Sequence, residues 1–527
     1  MVPCRHDFPT GASMSGVASE PSREPAWAAA LFAAAVLLAA ALHLIFFHAP
    51  PYVDEGDFAN TGRILLRGGA MYRDAFNEKG PGIYWLTAGL FAAFGDRFGV
   101  VRGAAFAANL ATLGALWAAG VRLRRRRAAA LAALLFAAAL IFLQGTFWRP
   151  ESLLTPLLLA VFALLAGETD ARRAAAAGVA VFAATLIKQT AWAPAAAIAA
   201  LFALDAARRR GPAIWAFAGG LCLPWAAVLA AEAARGGLGI FLAGYLFPVT
   251  GFVAGSYAHL PRPEQFFQQL PIWWTIAAAW LIAWRSSLDQ HDKRLWTAVL
   301  AGLVLMTLPA FFTYHFLPAL ALAAFGLALP ATEPAAPRLR RLAAVAAAGL
   351  VATIFIAARF DPLLDVREHL RPAGNRAMFE AAAAARAVSA PGEPIFVLPH
   401  NSLYYYLADR RAPGRYGFVL PWVTPPAAVR EVVAAMQAQP PKAILYNYFE
   451  FCMTNGIRPK EYLAPLLAWI ADRYRVERLF ANRVVLLVPA DPQSPTAEND
   501  RRAVRALLFS DLDCRGVDAG RIAQLLK

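Results

Sequence analysis

The stretch PPYVDEGDFANTGRILLRGGAMYRDAFNEKGP, residues 50–81, decides how the rest of the chain is read. It follows directly on an apolar run from Ala26 to Phe47, so its acids Asp54, Glu55 and Asp57 stand just beyond a membrane boundary. Arg63, Arg73, Glu78 and Lys79 follow within the same stretch. Charge runs of this kind are ordinary in solvated loops. Three features argue for more than a loop. The carboxylates are adjacent rather than scattered, ILLRGG has the pattern of a short amphipathic helix stopped by glycine, and EKGP sets Lys79 immediately before a second apolar stretch.

Outward from that loop, composition defines the class. The chain has 527 residues, of which 59% are hydrophobic, and a mean hydropathy of +0.47, which does not fit a soluble surface. Charge-free runs such as Ala26 to Phe47, Gly103 to Val121, Ala213 to Ala231 and Leu342 to Ala358 each come close to the roughly 20 residues that cross a hydrocarbon core. The first run exceeds the roughly 7 to 15 apolar residues of a signal-peptide core and ends in the poor cleavage site HAPP, so it reads as an anchoring span. The net charge of +15 sits in short arginine clusters between apolar runs rather than along one basic face, which marks topology and excludes a nucleic-acid partner. These clusters are Arg122 with Arg124 to Arg127, Arg172 with Arg173, Arg208 to Arg210, Lys293 with Arg294, and Arg338 with Arg340 and Arg341, all expected on the cytoplasmic side. Of the four cysteines, only Cys452 and Cys514 are candidates for a disulfide, and nothing in the sequence requires one.

The positive-inside rule sets the register. Gly82 to Phe94 is about 20 Å long as a helix, against a core of about 30 Å. If it crossed, the later clusters would fall outside, so it is expected to lie at the outer face with Tyr84 and Trp85 at interface depth. The expected fold is an α-helical polytopic membrane protein of about eleven crossings with outer juxtamembrane helices, multi-pass in the plasma (inner) membrane. Residues 1–25 form a cytoplasmic tail, and 26–358 the membrane module, with outer loops at 48–102 and 233–270. The expected spans lie at about 26–47, 103–121, 128–144, 152–166, 174–187, 190–205, 213–231, 271–284, 295–310, 313–330 and 342–358. Asp54, Glu55, Asp57, Glu78, Lys79, Arg149, Glu151, Lys188, His259, Arg262, Glu264 and His315 then all belong to outer ends or loops, and any chemistry is there. The long outer connection from Ala233 to Leu270, rich in tyrosine and phenylalanine, suits a second interfacial segment.

From about Phe360 the pattern turns soluble. Three β-rich runs, PIFVL at 394–398, AILY at 443–446 and RVVLLV at 483–488, alternate with helical stretches at Ala377 to Val388, Pro426 to Gln437 and Pro459 to Tyr474. Residues 359–490 therefore read as a small C-terminal α/β domain outside the membrane, and 491–527 as a polar link and final helix.

The motifs DE at Asp54-Glu55, EKGPGIYWL at 78–86 and FGDRFGVVR at 94–102 resemble the GT-C superfamily of membrane glycosyltransferases, in the branch of the protein O-mannosyltransferases, aminoarabinose transferase and galacturonosyltransferases. WRPE at 148–151 stands where such proteins carry a second outer acid, glutamate here where the aminoarabinose branch has aspartate; LIKQT at 186–190 and YHFLP at 314–318 resemble later landmarks. The resemblance implies a sugar moved from a polyprenyl-phosphate carrier to a glycolipid, polysaccharide or protein acceptor.

The residue types suit that chemistry. An aspartate at a polar boundary is ionised and able to take a proton from an attacking hydroxyl, which makes Asp54 the candidate base, with Glu55 and Glu151 as further candidates. Lys79, Arg149, Lys188 and His315 are candidates to meet the leaving phosphate, lysine as a point charge and arginine as a fork. Each also has a structural reading: Glu55 as a loop cap, Glu151 as the partner of Arg149, Lys188 as the end of a span, His315 as a packing residue. Hard cations favour clustered oxygens, which makes a divalent metal at Asp54, Glu55 and Asp57 the alternative reading, but three acids in four positions on one loop do not close a six-oxygen shell, so no metal or other cofactor is favoured. The competing classes are a transporter or flippase and an inactive relative acting as scaffold. Transport normally places ionisable groups near mid-membrane, where the expected spans are nearly free of acids.

Overall fold

The computed structural model describes residues 26–49, 51–141, 143–206, 212–253, 263–308, 312–332, 337–360, 373–421, 426–447, 459–510 and 519–525. Arg208 to Arg210, His259, Arg262, the side chain of Glu264, Cys4, Cys452, Cys514 and the tail 1–25 lie outside them.

The expected spans fall on helices α1 (Ala26–Phe47), α4 (Phe98–Arg122), α5 (Arg126–Ala139), α6 (Pro150–Leu165), α7 (Ala171–Ile187), α8 (Trp192–Ala206), α9 (Ala213–Ala234), α11 (Pro263–Arg285), α12 (Gln290–Leu305), α13 (Leu317–Ala328) and α14 (Pro337–Phe360). The outer loops hold α2 (Val53–Leu66), α3 (Pro81–Phe94) and α10 (Leu238–Val253). Among the described residues four segments are long and apolar enough to cross a membrane by length and composition: Trp27–Phe47, Phe98–Arg122, Ala213–Ala234 and Thr313–Thr332. All twelve residues of α13 are buried, because α5, α6, α11, α12 and α14 pack around it. Its run LPALALAAFGLA is apolar on every side, as an element enclosed by other helices requires.

Two ends of the bundle are chemically distinct. At the start of α1 the Arg127 guanidinium lies over Trp27. Nearby Arg122 donates to the carbonyls of Ala166 and Glu168, and Arg125 to Ser287 Oγ. At the other end of α1, Arg102 donates to the carbonyls of Phe46, Phe47 and Ala49. Arg102 and Arg122 lie near opposite ends of the same helix, so the arginine clusters and the acid-bearing loop are about 30 Å apart.

α3 spans 14 residues and remains too short to cross alone, as its length suggests. Tyr84, however, is fully buried rather than at interface depth, since α3 packs against α2 and α7. The connection after Ala233 is largely helical: α10 docks on the turn after α7, where Tyr245 donates to the Thr185 carbonyl at 2.8 Å and accepts from Trp192 Nε1 at 2.9 Å.

The C-terminal domain carries α15 (Ala373–Ala387), β1 (Ile395–Leu398), α16 (Leu403–Ala408), α17 (Pro426–Ala438), β2 (Ala443–Asn447), α18 (Ala464–Ala471), β3 (Tyr474–Leu479), β4 (Val484–Pro489) and α19 (Ala497–Leu508). Strand order is β1-β2-β4-β3, with β1 and β2 parallel and the other pairs antiparallel. The three expected strands are β1, β2 and β4, buried along their length in the sheet except for the exposed Pro489 at the end of β4. β3 is the addition. Its sequence YRVERL is charged and half exposed, as suits an edge strand, and carries no apolar run to announce it. α19 packs on α18 and β3, so the domain core reaches Leu508, and α16 packs directly on α2.

Candidate active site

The site is built on the first turn of α2. Tyr52 precedes the helix, and its N–H donates to Glu55 Oε2 at 3.1 Å. The acids of this turn gain from the partial positive charge of the helix N-terminus.

Glu55 and Asp54 are neighbours with separate surroundings. Glu55 is fully buried. Its Oε2 also accepts from Arg102 Nη2 at 2.8 Å, and its Oε1 accepts from the Trp148 N–H at 3.0 Å. Since Arg102 also binds the three carbonyls at the end of α1, this pair ties α1, α2, α4 and the segment before α6 together. Both oxygens of Glu55 are held by fixed donors, which leaves it a clamp for the loop.

Asp54 keeps a fifth of its side chain exposed and lies 3.3 Å from Arg149 Nη1. Burial tends to raise its carboxyl, but the positive charges of Arg149, Lys79 and His400 outweigh that and hold it below the ordinary aspartate range. It is therefore ionised at neutral pH.

Arg149 is the most unusual group in the cluster. It is 1% exposed, and its guanidinium is sandwiched between the rings of Tyr52 at 4.2 Å and Tyr314 at 3.9 Å from their centroids. Its Nε, Nη1 and Nη2 make no hydrogen bond within the protein. Buried donors left unmade are costly, so three on one cation mark a place for an oxygen-rich ligand. Beyond it, Glu151 Oε1 accepts from Lys188 Nζ at 2.5 Å, with His315 Nε2 3.5 Å away.

Lys79 arrives through a backbone contact. A Cβ on Gly80 would stand 2.2 Å from the Leu186 carbonyl oxygen, so only glycine lets the chain before α3 lie against the end of α7. That contact brings KGPG beside LIKQT, and Gln189 Nε2 closes it by donating to the Glu78 carbonyl at 3.2 Å. Lys79 pairs with Glu78 at 2.8 Å. Burial works against its charge, but Glu78 and Asp54 raise its pKa well above the ordinary lysine value, so it stays protonated.

Of the residues singled out in the sequence, Asp54, Arg149, Glu151, Lys188 and His315 form one connected chain of ion pairs and ring contacts, with Lys79 acting on Asp54 through its charge. Glu55 stands behind it. Tyr52, Tyr314 and His400 were not singled out. Tyr52 and Tyr314 lie within stretches already quoted, so their position was the available signal. His400 comes from the C-terminal domain, 343 residues after its partner Asp57, and no local pattern points to it.

The three acids of the loop turn to different partners: Asp54 to Arg149, Glu55 to Arg102 and Asp57 to His400. Among the described residues no group of three His, Cys, Asp or Glu side chains has metal-binding geometry.

Residues 78–230 match the dolichyl-phosphate-mannose-protein mannosyltransferase family, which takes in Lys79, Arg149, Glu151 and Lys188. The fold resembles that of ArnT from Cupriavidus metallidurans bound to undecaprenyl phosphate, with a TM-score of 0.56 at 15% identity over 89% of this chain and 98% of that one. It also resembles the archaeal oligosaccharyltransferase AglB from Archaeoglobus fulgidus, in complex with an inhibitory peptide and a dolichol-phosphate, with a TM-score of 0.51 at 12% identity over 89% and 75%. No curated protein sequence matches the chain. The chain thus shares the fold of these two proteins, and its residues 78–230 match the mannosyltransferase family.

Proposed function

We propose that this chain is a membrane glycosyltransferase that takes a sugar from a polyprenyl-phosphate carrier and passes it to a glycolipid, polysaccharide or protein acceptor. The observation that carries the proposal is the pairing of an ionised, partly exposed Asp54 with a buried Arg149 whose three nitrogens make no hydrogen bond within the protein. The undecaprenyl phosphate and dolichol-phosphate held by the structural relatives are carriers of the expected type. Positive-inside topology places the arginine-rich end in the cytoplasm, and the site and the C-terminal domain on the outer side.

In the reaction the acceptor oxygen forms a bond to the anomeric carbon as the bond from that carbon to the carrier phosphate breaks. Asp54 takes the proton of the acceptor hydroxyl, and the electron pair leaves with the phosphate. The phosphate gains charge as it departs, so fixed cations stabilise the transition state more than the ground state. Arg149 offers that charge with its geometry locked by two tyrosine rings, and Lys79, just before α3, and Lys188, just after α7, supply further charge. Glu151 keeps Lys188 in place, and His315 lines the same carboxylate. Attack opposite the phosphate inverts the anomeric centre. No step needs a metal ion, so activity should survive chelation.

The test is donor consumption by the purified full chain with the polyprenyl-phosphate-sugar fraction extracted from the source membranes. Asp54→Asn keeps the size of the side chain and removes the base. Turnover should fall by roughly 100-fold or more while undecaprenyl phosphate binding stays within about twofold. Normal turnover by that variant, or a wild type that binds carrier and never consumes donor, would refute the proposal.

A further inference from the structure

The C-terminal domain does more than cap the membrane module. Its segment between β1 and α16, Pro399 to Ser402, reaches α2 one turn from Asp54. His400 Nε2 lies 2.8 Å from Asp57 Oδ2, and the Ser402 N–H donates to Asp57 Oδ1 at 3.3 Å. Both oxygens of one buried carboxylate are thus held by two residues of the other domain. Between them Asn401 has φ of +128°, a region that side-chain-bearing residues rarely adopt, and its buried Oδ1 makes no hydrogen bond. Strain of this kind persists only where the surroundings fix it. Here the reversal at Asn401 is what lets His400 and Ser402 face the same carboxylate. The approach is also closed sterically: a Cβ on Gly56 would stand 2.4 Å from Leu403 Cβ and 2.6 Å from its Cα, so α2 meets α16 with no room for a side chain.

From this geometry we infer that His400 is a positioning residue for the transfer reaction, fixing the first turn of α2 through Asp57 so that Asp54 faces Arg149. The inference rests on the glycosyltransferase reading for its kinetic consequence alone; its structural consequence, a first turn of α2 held by the second domain, stands apart from it. His400 is not a catalytic residue in this scheme, since it acts through Asp57. Its proximity is also felt at Asp54, where it is among the positive groups that keep the carboxyl ionised. The cross-domain contact is what holds Asn401 in its strained conformation.

The experiment uses the full chain in detergent, comparing wild type, His400→Ala, His400→Gln, Asp57→Asn and the His400→Ala/Asp57→Asn double variant. Three quantities are read: hydrogen exchange of the amides of residues 54–58, undecaprenyl phosphate binding, and kcat and KM for the extracted donor fraction. His400→Ala should speed exchange in that turn at least about tenfold and lower kcat by a similar factor, with carrier binding within about twofold. His400→Gln, which retains a donor to Asp57, should restore most of both. The double variant should be no worse than the poorer single one, as expected for residues that act as a unit. Unchanged exchange and kcat in His400→Ala would overturn the inference, as would a loss of fold and carrier binding that Gln fails to rescue. A wild type that consumes no donor removes the glycosyltransferase reading, and the exchange data alone then decide whether His400 fixes α2.

Discussion

Asp54 and Glu55 share one helical turn, yet Glu55 is closed in by Arg102 and the Trp148 N–H while Asp54 retains contact with solvent and with a cation that has donors to spare. The two carboxylates therefore answer differently to substitution. Glu55→Gln leaves Arg102 4% exposed and without its counter-charge. Breaking a buried pair from one side costs about 3 to 5 kcal/mol, so the variant should melt at a clearly lower temperature, and its activity per folded molecule should fall far less than that of Asp54→Asn. The pH profile separates them again. Asp54 has a depressed folded pKa, so its contribution to stability is present above the unfolded aspartate value and is lost only as pH falls through the lower folded value. The acid limb of kcat/KM reports the free enzyme's base and should lie below the ordinary aspartate range, with no decline as pH falls from neutrality towards it. A limb at or above that range would assign the proton to another group. The sequence supplied the adjacent acids but not this division, because the partner of Glu55 lies in α4 and that of Asp54 just before α6.

At the scale of elements, short sequence patterns were readable where a helix had to be apolar or a strand buried, and much less so where two backbones meet. Eleven helices fall on the expected spans because their apolar composition marks them, although α5 and α13, at 14 and 12 residues, are no longer than α3. Tyr84 was misjudged because a tyrosine at a helix near the interface is indistinguishable, by composition, from one turned inward against α2 and α7. β3 was missed because an edge strand needs no apolar run. The KGPG segment shows what hydropathy cannot report: Gly80 is required by the Leu186 carbonyl on a different helix. Gly80→Ala should cost about 1 to 3 kcal/mol through overpacking and move Lys79 away from Asp54. Thermal unfolding and undecaprenyl phosphate binding check both halves of this. Loss of stability with unchanged binding would mean that Lys79 does not depend on the contact.

Across the whole molecule, the membrane module and the α/β domain are joined by more than chain connectivity. Arg63 on α2 binds Asp96 at 2.5 Å, donates to the Tyr406 carbonyl at 2.7 Å and lies over the Tyr406 ring, while Arg415 donates to the Tyr72 carbonyl at 3.2 Å. The domain's place over the site was not legible in the sequence, since the contacts of Arg63 with Tyr406 and of Arg415 with Tyr72 link residues 343 positions apart. The arrangement constrains topology. If the C-terminal domain sits on α2, then both must face the same side, and the Arg122 to Arg127 cluster at the far end of α4 must face the other. Single cysteines at the exposed positions Arg73, Arg124 and Ala390, placed in a chain whose native cysteines are replaced, test this with a membrane-impermeant thiol reagent on intact cells. Positions 73 and 390 should label from outside, and position 124 only after the membrane is opened. Labelling of 73 and 124 from the same side would contradict the contacts of Arg102 with Glu55 and the end of α1, which put both ends of α3 at one end of the bundle. A split between 73 and 390 would instead break the contact between α2 and the C-terminal domain, and with it the placement of His400 beside Asp57.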